Sequence, residues 1–270
     1  MDRRTKQGIM NFLQSVKLCF SFFLSLGKKS RRTKVFYVIS FVPILMALAI
    51  KLAQFFYSHR DISGLAIFSN MIMVFYLQFL ILILALFFGT SLCSEELEGK
   101  TLTYLTTRPV PKSAIILGKY AAYTFLTIIM TGVGLLFTFL ILNLDNLLDF
   151  SLYVLFLRDL VVLWLGLICY TAFFTFIGTF LKKTILFGLL FSFGWENVIQ
   201  YFPGSTQRFA IVHYLKSLLK VPTSGGFSFL LFRLEPTPPG IAVLMLLLIS
   251  GIFLFLACLF FSQKEYILQD

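Results

Sequence analysis

The sequence has few charged residues and few of the side chains that catalytic or metal sites use. Only 13% of its 270 residues are charged, whereas soluble domains carry about 25%, so this chain cannot cover a water-facing surface. Two histidines leave little material for an imidazole-based site. The four cysteines are far apart and show no Cys-x-x-Cys or Cys/His spacing. They therefore indicate neither a zinc site nor a disulfide framework.

Catalytic motifs are also missing. The sequence has no nucleophile elbow, no His-Glu-x-x-His and no glycine-rich phosphate loop in a suitable context, so no motif in it can hydrolyse ATP. Secondary transporters normally carry ionisable groups near the bilayer midplane. The candidates here lie at the ends of apolar runs and are interpreted as interfacial anchors or local pairs: Lys51, Arg158 with Asp159, and Glu196. A further polar set either lines a path or satisfies itself between packed helices: Gln78, Thr124, Thr127, Thr131 and Thr138.

Hydrophobic residues make up 59% of the sequence and are gathered in long runs. Runs of about 17–25 apolar residues are long enough to cross the hydrocarbon of a bilayer as helices. We therefore predict an all-α membrane protein with six transmembrane helices, over residues 35–53, 67–92, 120–142, 160–181, a short fifth beginning at 184, and 241–261. Prolines and glycines in residues 201–240 predict an external helical insertion between spans five and six.

The amino-terminal segment, residues 1–34, has a pattern of its own. Apolar residues recur every three or four positions over residues 9–26 and are followed by a basic cluster. This pattern predicts an amphipathic elbow helix in the membrane interface, with its basic end on anionic lipid head groups. A leader packed against another helix is the alternative. Residues 35–270 are predicted to form the transmembrane domain.

The basic residues predict the orientation of the chain. With six spans, 16 of the 23 Lys and Arg residues fall on the side of the termini. Cytoplasmic loops carry such an excess, so both termini and the 93–118 loop are expected in the cytoplasm of a multi-pass protein of the cell (inner) membrane. The net charge of +11 is read in the same way, and no nucleic-acid partner is expected.

The polar loop between spans two and three has a distinctive order of residues. An acidic group ends span two, and Gly99 can break the helix there. A short helix is predicted over residues 101–107, with Leu102 and Leu105 on one side. Arg108 should be extended because a proline follows it. Pro111 suits the first turn of the helix that becomes span three.

Residues 95–102, 107–110 and 117–120 of this stretch resemble the signature of the type-2 ABC exporter permeases (ABC-2 type transporters). In that family an acidic cluster with glycine and threonine precedes a leucine-rich short helix and an Arg-Pro-Val turn. A Gly-Lys-Tyr sequence then opens span three. Pro111 and Lys112 stand where the family often has a polar residue and arginine. The elbow helix, the six spans and the insertion at 201–240 resemble the same family in their arrangement.

The resemblance implies a permease subunit that is not itself an enzyme. It would pair with a second copy or a homologous permease and with two separate ABC ATPase (nucleotide-binding) subunits. ATP and magnesium would be bound in those partners, and no cofactor is expected in this chain. The 93–118 loop would couple to the ATPase through Leu102 and Leu105 of the short helix and through residues that match the family pattern: Glu95, Glu96, Glu98, Gly99, Thr101, Arg108 and Pro109.

The function predicted on this basis is ATP-driven transport. Export is implied by the resemblance, and the 34 phenylalanines favour a lipid, lipid-linked or amphipathic peptide cargo over an ion. Two other classes stay open at this point. One is a secondary transporter or channel that works without ATP, and the other is a membrane assembly scaffold that recruits cytoplasmic partners through the same loop.

Overall fold

The structure is a computed structural model that describes residues 3–57, 64–98, 111–146, 148–181, 184–199, 202, 204–219 and 236–263. These residues are 94% helical and include no strand, which confirms the predicted all-α class. The helices are α1 (Arg3–Lys29), α2 (Arg31–Tyr57), α3 (Gly64–Met71), α4 (Ile81–Glu98), α5 (Lys112–Leu142), α6 (Phe150–Phe180), α7 (Thr184–Leu190), α8 (Glu196–Ile199), α9 (Ile211–Leu218) and α10 (Pro239–Gln263).

Among the described residues, five helical stretches are long and apolar enough to cross a membrane. They are Thr33–Phe56, Gly64–Ser91, Lys112–Leu142, Phe150–Phe180 and Pro239–Gln263. The predicted fifth span corresponds to Thr184–Ile199, which is apolar but shorter. At about 1.5 Å per residue, this helix falls short of the roughly 30 Å of hydrocarbon. Helix length and composition therefore support the first four predicted spans and the sixth. The fifth span stays a prediction.

Two π-helical segments interrupt the apolar stretches Gly64–Ser91 and Thr184–Ile199. Ile72–Leu80 joins α3 to α4, and Phe191–Trp195 joins α7 to α8. The two segments meet at Phe79 and Phe193, whose ring centroids lie 6.4 Å apart. Such segments are rare and are frequent at functional sites. They have no signature in the sequence, and the sequence analysis did not predict them.

Helices α1 and α2 run alongside α5 in the same direction. The backbone of α1 meets α5 at Gly118, and the backbone of α2 meets it at Gly134, next to the carbonyl of Ser40. Further along, Lys51 at the end of α2 forms an ion pair with Asp145, just beyond the end of α5. The contacts advance together along both segments, so α5 is flanked along its length by the amino-terminal helices. The predicted helix at 9–26 is thus confirmed as a helix, and it packs against another helix.

The most extensive contact between helices in the described residues joins α4 to α6. It depends on Gly89, because a Cβ added there would lie 2.7 Å from the Cβ of Phe174 and 3.1 Å from the carbonyl oxygen of Thr171. Gly178 similarly faces the backbone of Thr90, at 3.3 Å. Small residues allow helix backbones to approach closely in a membrane protein.

Several polar residues of the apolar helices form hydrogen bonds or ion pairs within the chain. Arg158 donates two hydrogen bonds to Oδ1 of Asp159, at 3.0 and 2.7 Å, which confirms the predicted local pair. Tyr76 and Thr138 share a buried hydrogen bond of 2.9 Å. The four threonines Thr124, Thr127, Thr131 and Thr138 are all buried. They therefore lie between packed helices in this chain.

The described part of the predicted insertion enters the bundle. A 3₁₀ helix, Gly204–Phe209, leads to α9, and six of the eight residues of α9 are buried. Of the apolar residues that recur here at helical spacing, Val212, Leu215 and Leu219 are buried and Phe209 is exposed. The chain turns between the 3₁₀ helix and α9, so residue 209 does not continue the face of α9.

We expect Gly89→Leu to destabilise the protein, because the new side chain would separate α4 from α6. Overpacking of this kind costs about 1–3 kcal/mol. Gly251→Leu is the matched control, since a Cβ at Gly251 in α10 meets nothing within 4 Å. The thermal unfolding midpoint in detergent should fall for Gly89→Leu and stay near that of the native protein for Gly251→Leu. Equal midpoints for the two variants would contradict this role of Gly89.

Candidate coupling site

The predicted coupling residues divide into two groups in the structure. Glu95, Glu96 and Glu98 belong to the last turns of α4, and their side chains lie outside what the structure describes. The other predicted residues all lie outside the described residues: Gly99, Thr101, Leu102, Leu105, Arg108 and Pro109. Their coupling roles stay predictions. The described surroundings show how the helices at the two ends of this segment are held.

The helix after the segment begins one residue later than predicted. Pro111 is at the N-cap position of α5, with an extended backbone (φ −59°, ψ 133°). Its carbonyl accepts hydrogen bonds from the backbone N–H groups of Ala114 at 2.9 Å and Ile115 at 3.3 Å. Proline fixes φ near this value and has no N–H to satisfy at a helix start. The sequence thus starts α5 immediately after the loop.

Gly118 brings α1 into backbone contact with α5. A Cβ at this position would lie 2.5 Å from the Cβ of Cys19, 3.0 Å from the carbonyl oxygen of Val16 and 3.1 Å from the backbone nitrogen of Phe20. Any larger residue would push the two helices apart. The glycine of the Gly-Lys-Tyr sequence therefore serves close packing of α1.

Lys119 is a buried cation where α1, α4 and α5 meet. Its side chain is 2% exposed. The Nζ atom lies 5.2 Å from the ring centroid of Phe23 in α1 and 5.8 Å from that of Tyr123 in α5. It also donates to the carbonyl oxygen of Ser91 in α4, at 3.5 Å. Cations within about 6 Å of an aromatic face are attracted by the ring, more strongly when water is excluded.

Tyr120 connects α5 to α6. Its hydroxyl donates a hydrogen bond of 2.9 Å to the backbone carbonyl of Ile168. Successive residues of an α-helix point about 100° apart, since 3.6 residues make one turn. Residues 118–120 consequently reach different neighbours: Gly118 contacts α1, Lys119 contacts α1 and α4, and Tyr120 contacts α6. The sequence analysis noted these three residues only as part of the family signature.

The contacts of this site hold helices together. The described residues contain no group of three or more His, Cys, Asp or Glu side chains that could hold a metal ion. Among the described residues, Lys119 is a buried charged side chain at this junction, and its contacts include two aromatic rings and a backbone carbonyl. Such an arrangement fixes the relative positions of α1, α4, α5 and α6 near the start of α5.

Substitutions at Lys119 should separate packing from charge. Lys119→Ala removes a buried side chain, and such changes cost about 2 kcal/mol or more. Lys119→Met keeps most of the stem and loses the charge, and with it the hydrogen bond to Ser91 and the cation–ring attraction, which is worth about 0.5–2 kcal/mol. Lys112→Ala, one helix turn or more away at the partly exposed start of α5, is the control. Thermal unfolding in detergent should rank Lys119→Ala lowest, and a midpoint equal to that of Lys112→Ala would contradict the site.

A known protein family matches much of this sequence. The family described as ABC-2 family transporter protein matches residues 27–195. The match covers more than half of the chain and runs from the end of α1 to the second π-helical segment. It includes the whole loop between α4 and α5. No curated protein sequence matches the chain. The chain therefore belongs to the ABC-2 transporter family and is a multi-pass membrane protein.

Proposed function

We propose that this chain is the permease subunit of an ATP-driven ABC transporter, coupled through the 93–118 loop to separate ATPase subunits. The observation that carries the proposal is the position of this loop within a chain of the ABC-2 family. Its two ends continue into α4 and α5, and residues 118–120 connect α5 to α1, α4 and α6. The chain would pair with a second copy or a homologous permease. ATP and magnesium would be bound by the partner ATPases.

The proposed mechanism is a rigid-body transmission of movement. ATP binding closes the partner ATPases and displaces the loop, which carries Glu95, Glu96, Glu98 and Arg108 as contacts to the partner. Because α5 begins at Lys112 and is tied within eight residues to three other helices, the displacement acts on the helix group and not on one helix alone. Packed helices respond to such forces by shifting together between alternative arrangements.

The proposed topology has six spans with an elbow helix on the cytoplasmic side. The five long helices would supply five of the spans. The remaining span, the fifth along the chain, would be the shorter segment Thr184–Ile199. The parallel course of α2 and α5 fits this alternation, because the first and third spans must cross in the same direction. The exposed residues Lys28, Lys29, Arg31 and Lys34 at the α1–α2 junction would face anionic lipid head groups.

The proposed direction is export, with a lipid, lipid-linked or amphipathic peptide as cargo. Aromatic rings support an apolar cargo, since they line the contact between the two π-helical segments at Phe79 and Phe193. In the described spans, Arg158 and Asp159 form an ion pair close to the start of α6, and Lys51 pairs with Asp145. The long helices are rich in apolar side chains, which supports an amphipathic cargo.

Changes in the loop should remove the ATPase from the complex. We expect deletion of 102–108, or the triple change of Glu95, Glu96 and Glu98 to Lys, to abolish co-purification of the nucleotide-binding subunits with the tagged chain. Asp149→Lys is the matched control, because Asp149 is an exposed acid just before α6. Intact binding after the loop changes would contradict the assignment of the loop. Failure of the native chain to retain any ATPase would contradict the proposed function itself.

The proposed orientation can be tested by thiol labelling in whole cells. In a background without the four native cysteines, Asp149→Cys should react with a membrane-impermeant maleimide from outside. Lys112→Cys should react only after the membrane is permeabilised, because it follows the cytoplasmic loop. The opposite pattern would invert the topology. Labelling of both positions from one side would contradict a crossing by α5.

A further inference from the structure

The helix α9 has no local cap at its amino end. The residue at its N-cap position is Ala210, whose backbone is extended (φ −96°, ψ 138°) and which has no side-chain acceptor to offer. The first N–H groups of a helix have no partner within the helix, and alanine is among the poorest N-cap residues. Because α9 is buried, water is not available to satisfy these groups.

Glu196 supplies the missing acceptors from a different helix. Its side chain is 1% exposed. The Oε1 atom accepts the backbone N–H of Ile211 at 3.1 Å, and Oε2 accepts that of Val212 at 3.1 Å. Oε2 also accepts the hydroxyl of Tyr170 in α6, at 3.0 Å. One carboxylate thus joins α8, α9 and α6, with both of its oxygens in use.

The carboxylate is well placed for this role. A negative charge at a helix amino end is stabilised by the helix dipole, and hydrogen bonds to a charged acceptor are stronger than neutral ones. Lys216 is one turn further along α9 than Val212 and is 4% exposed. Burial lowers the pKa of Lys216 to about 8, and attraction to Glu196 opposes that shift. A buried carboxylate is costly unless it is paired or hydrogen-bonded, so Glu196 and α9 depend on each other.

The rest of α9 is wedged between α6 and α10. A Cβ added at Gly166 of α6 would lie 3.0 Å from Cδ1 of Leu215, so Leu215 rests directly on the backbone of α6. On the other side, His213 Nε2 and the hydroxyl of Thr237 are 2.9 Å apart, and the N–H of Thr237 donates to Ser217 Oγ at 3.2 Å. These contacts do not include the joints between α4, α5 and α6 at Gly89, Lys119 and Tyr120.

We propose that the hydrogen bonds accepted by Glu196 hold α9 in its docked position inside the transmembrane bundle. With the carboxylate in place, α9 is held between α6 and α10. Without it, α9 leaves this position for part of the time while the bundle of α4, α5 and α6 stays assembled. The proposal concerns the internal architecture of the chain, and it holds whether or not the proposed coupling to an ATPase is correct.

The test measures how often α9 leaves its docked position. Leu215→Cys is introduced into a background in which the four native cysteines are replaced by alanine. Its thiol is covered by α6 when α9 is docked, since Leu215 is 0% exposed. The rate of alkylation by N-ethylmaleimide, which enters both water and lipid, then reports the fraction of undocked α9. Glu196→Gln keeps the shape of the side chain but replaces one acceptor oxygen by a donor. We expect it to raise this rate about tenfold or more.

A second thiol distinguishes undocking from general loosening. Leu135→Cys places a thiol in α5 at a position that is also 0% exposed, and its rate should not change in Glu196→Gln. Tyr170→Phe removes one of the three donors to the carboxylate and should raise the rate of the Leu215→Cys thiol by a smaller factor. Should Glu196→Gln not fold, Tyr170→Phe carries the test alone. An unchanged rate at Leu215→Cys, or an equal rise at Leu135→Cys, overturns the proposal.

Discussion

Close backbone contact at glycine is the constraint on which the rest of this bundle depends. Lipid is as apolar as leucine, so the hydrophobic effect gives little force between helices within a bilayer, and packing must supply it. Gly118 and Gly134 bring α1 and α2 against α5, while Gly89 and Gly166 bring α4 and α9 against α6. At Gly118, Gly134 and Gly89 a backbone atom or a Cβ of the neighbouring helix fills the place of the missing side chain, and at Gly166 the Cδ1 atom of Leu215 does so. The order of the helices around α5 and α6 follows from these contacts.

Buried polar side chains then fix positions that packing alone would leave free to slide. Lys119 and Glu196 are both almost fully buried, and each joins three helices. Loss of a hydrogen-bond partner destabilises such groups, because an unpaired polar group in a site without water costs about 1–3 kcal/mol. A helix that moved away from either residue would incur that cost. The two residues therefore favour discrete helix arrangements over continuous ones.

Much of the fold follows from the sequence by simple physical rules. Hydropathy located the long helices, since the length needed to cross hydrocarbon is fixed, although α6 begins at Phe150, well before the predicted start at residue 160. The spacing of apolar residues predicted α1. The burial of α9 was not foreseen, because its Lys216, His213 and Tyr214 look like residues of an exposed surface when read alone. Their partners, Glu196 and Thr237, lie far along the chain. The π-helical segments were missed because their hydrogen bonding has no residue preference to reveal it. The coupling residues at 95–109 remain predictions from the family resemblance.

The Gly-Lys-Tyr sequence at the start of α5 shows how a family signature can be a packing requirement as well as a functional one. Its three residues point in different directions and meet α1, α4 and α6, so a change at any one of them alters the junction that the other two stabilise. Energies of such neighbouring contacts are not additive. A loss of transport after a substitution here would therefore reflect a displaced helix group before it reflected a lost contact to an ATPase. The acidic residues before the loop have a different role in the proposed function, where they contact the partner ATPase. A test of partner binding is therefore better placed at those acids than at residues 118–120, whose described contacts hold helices together.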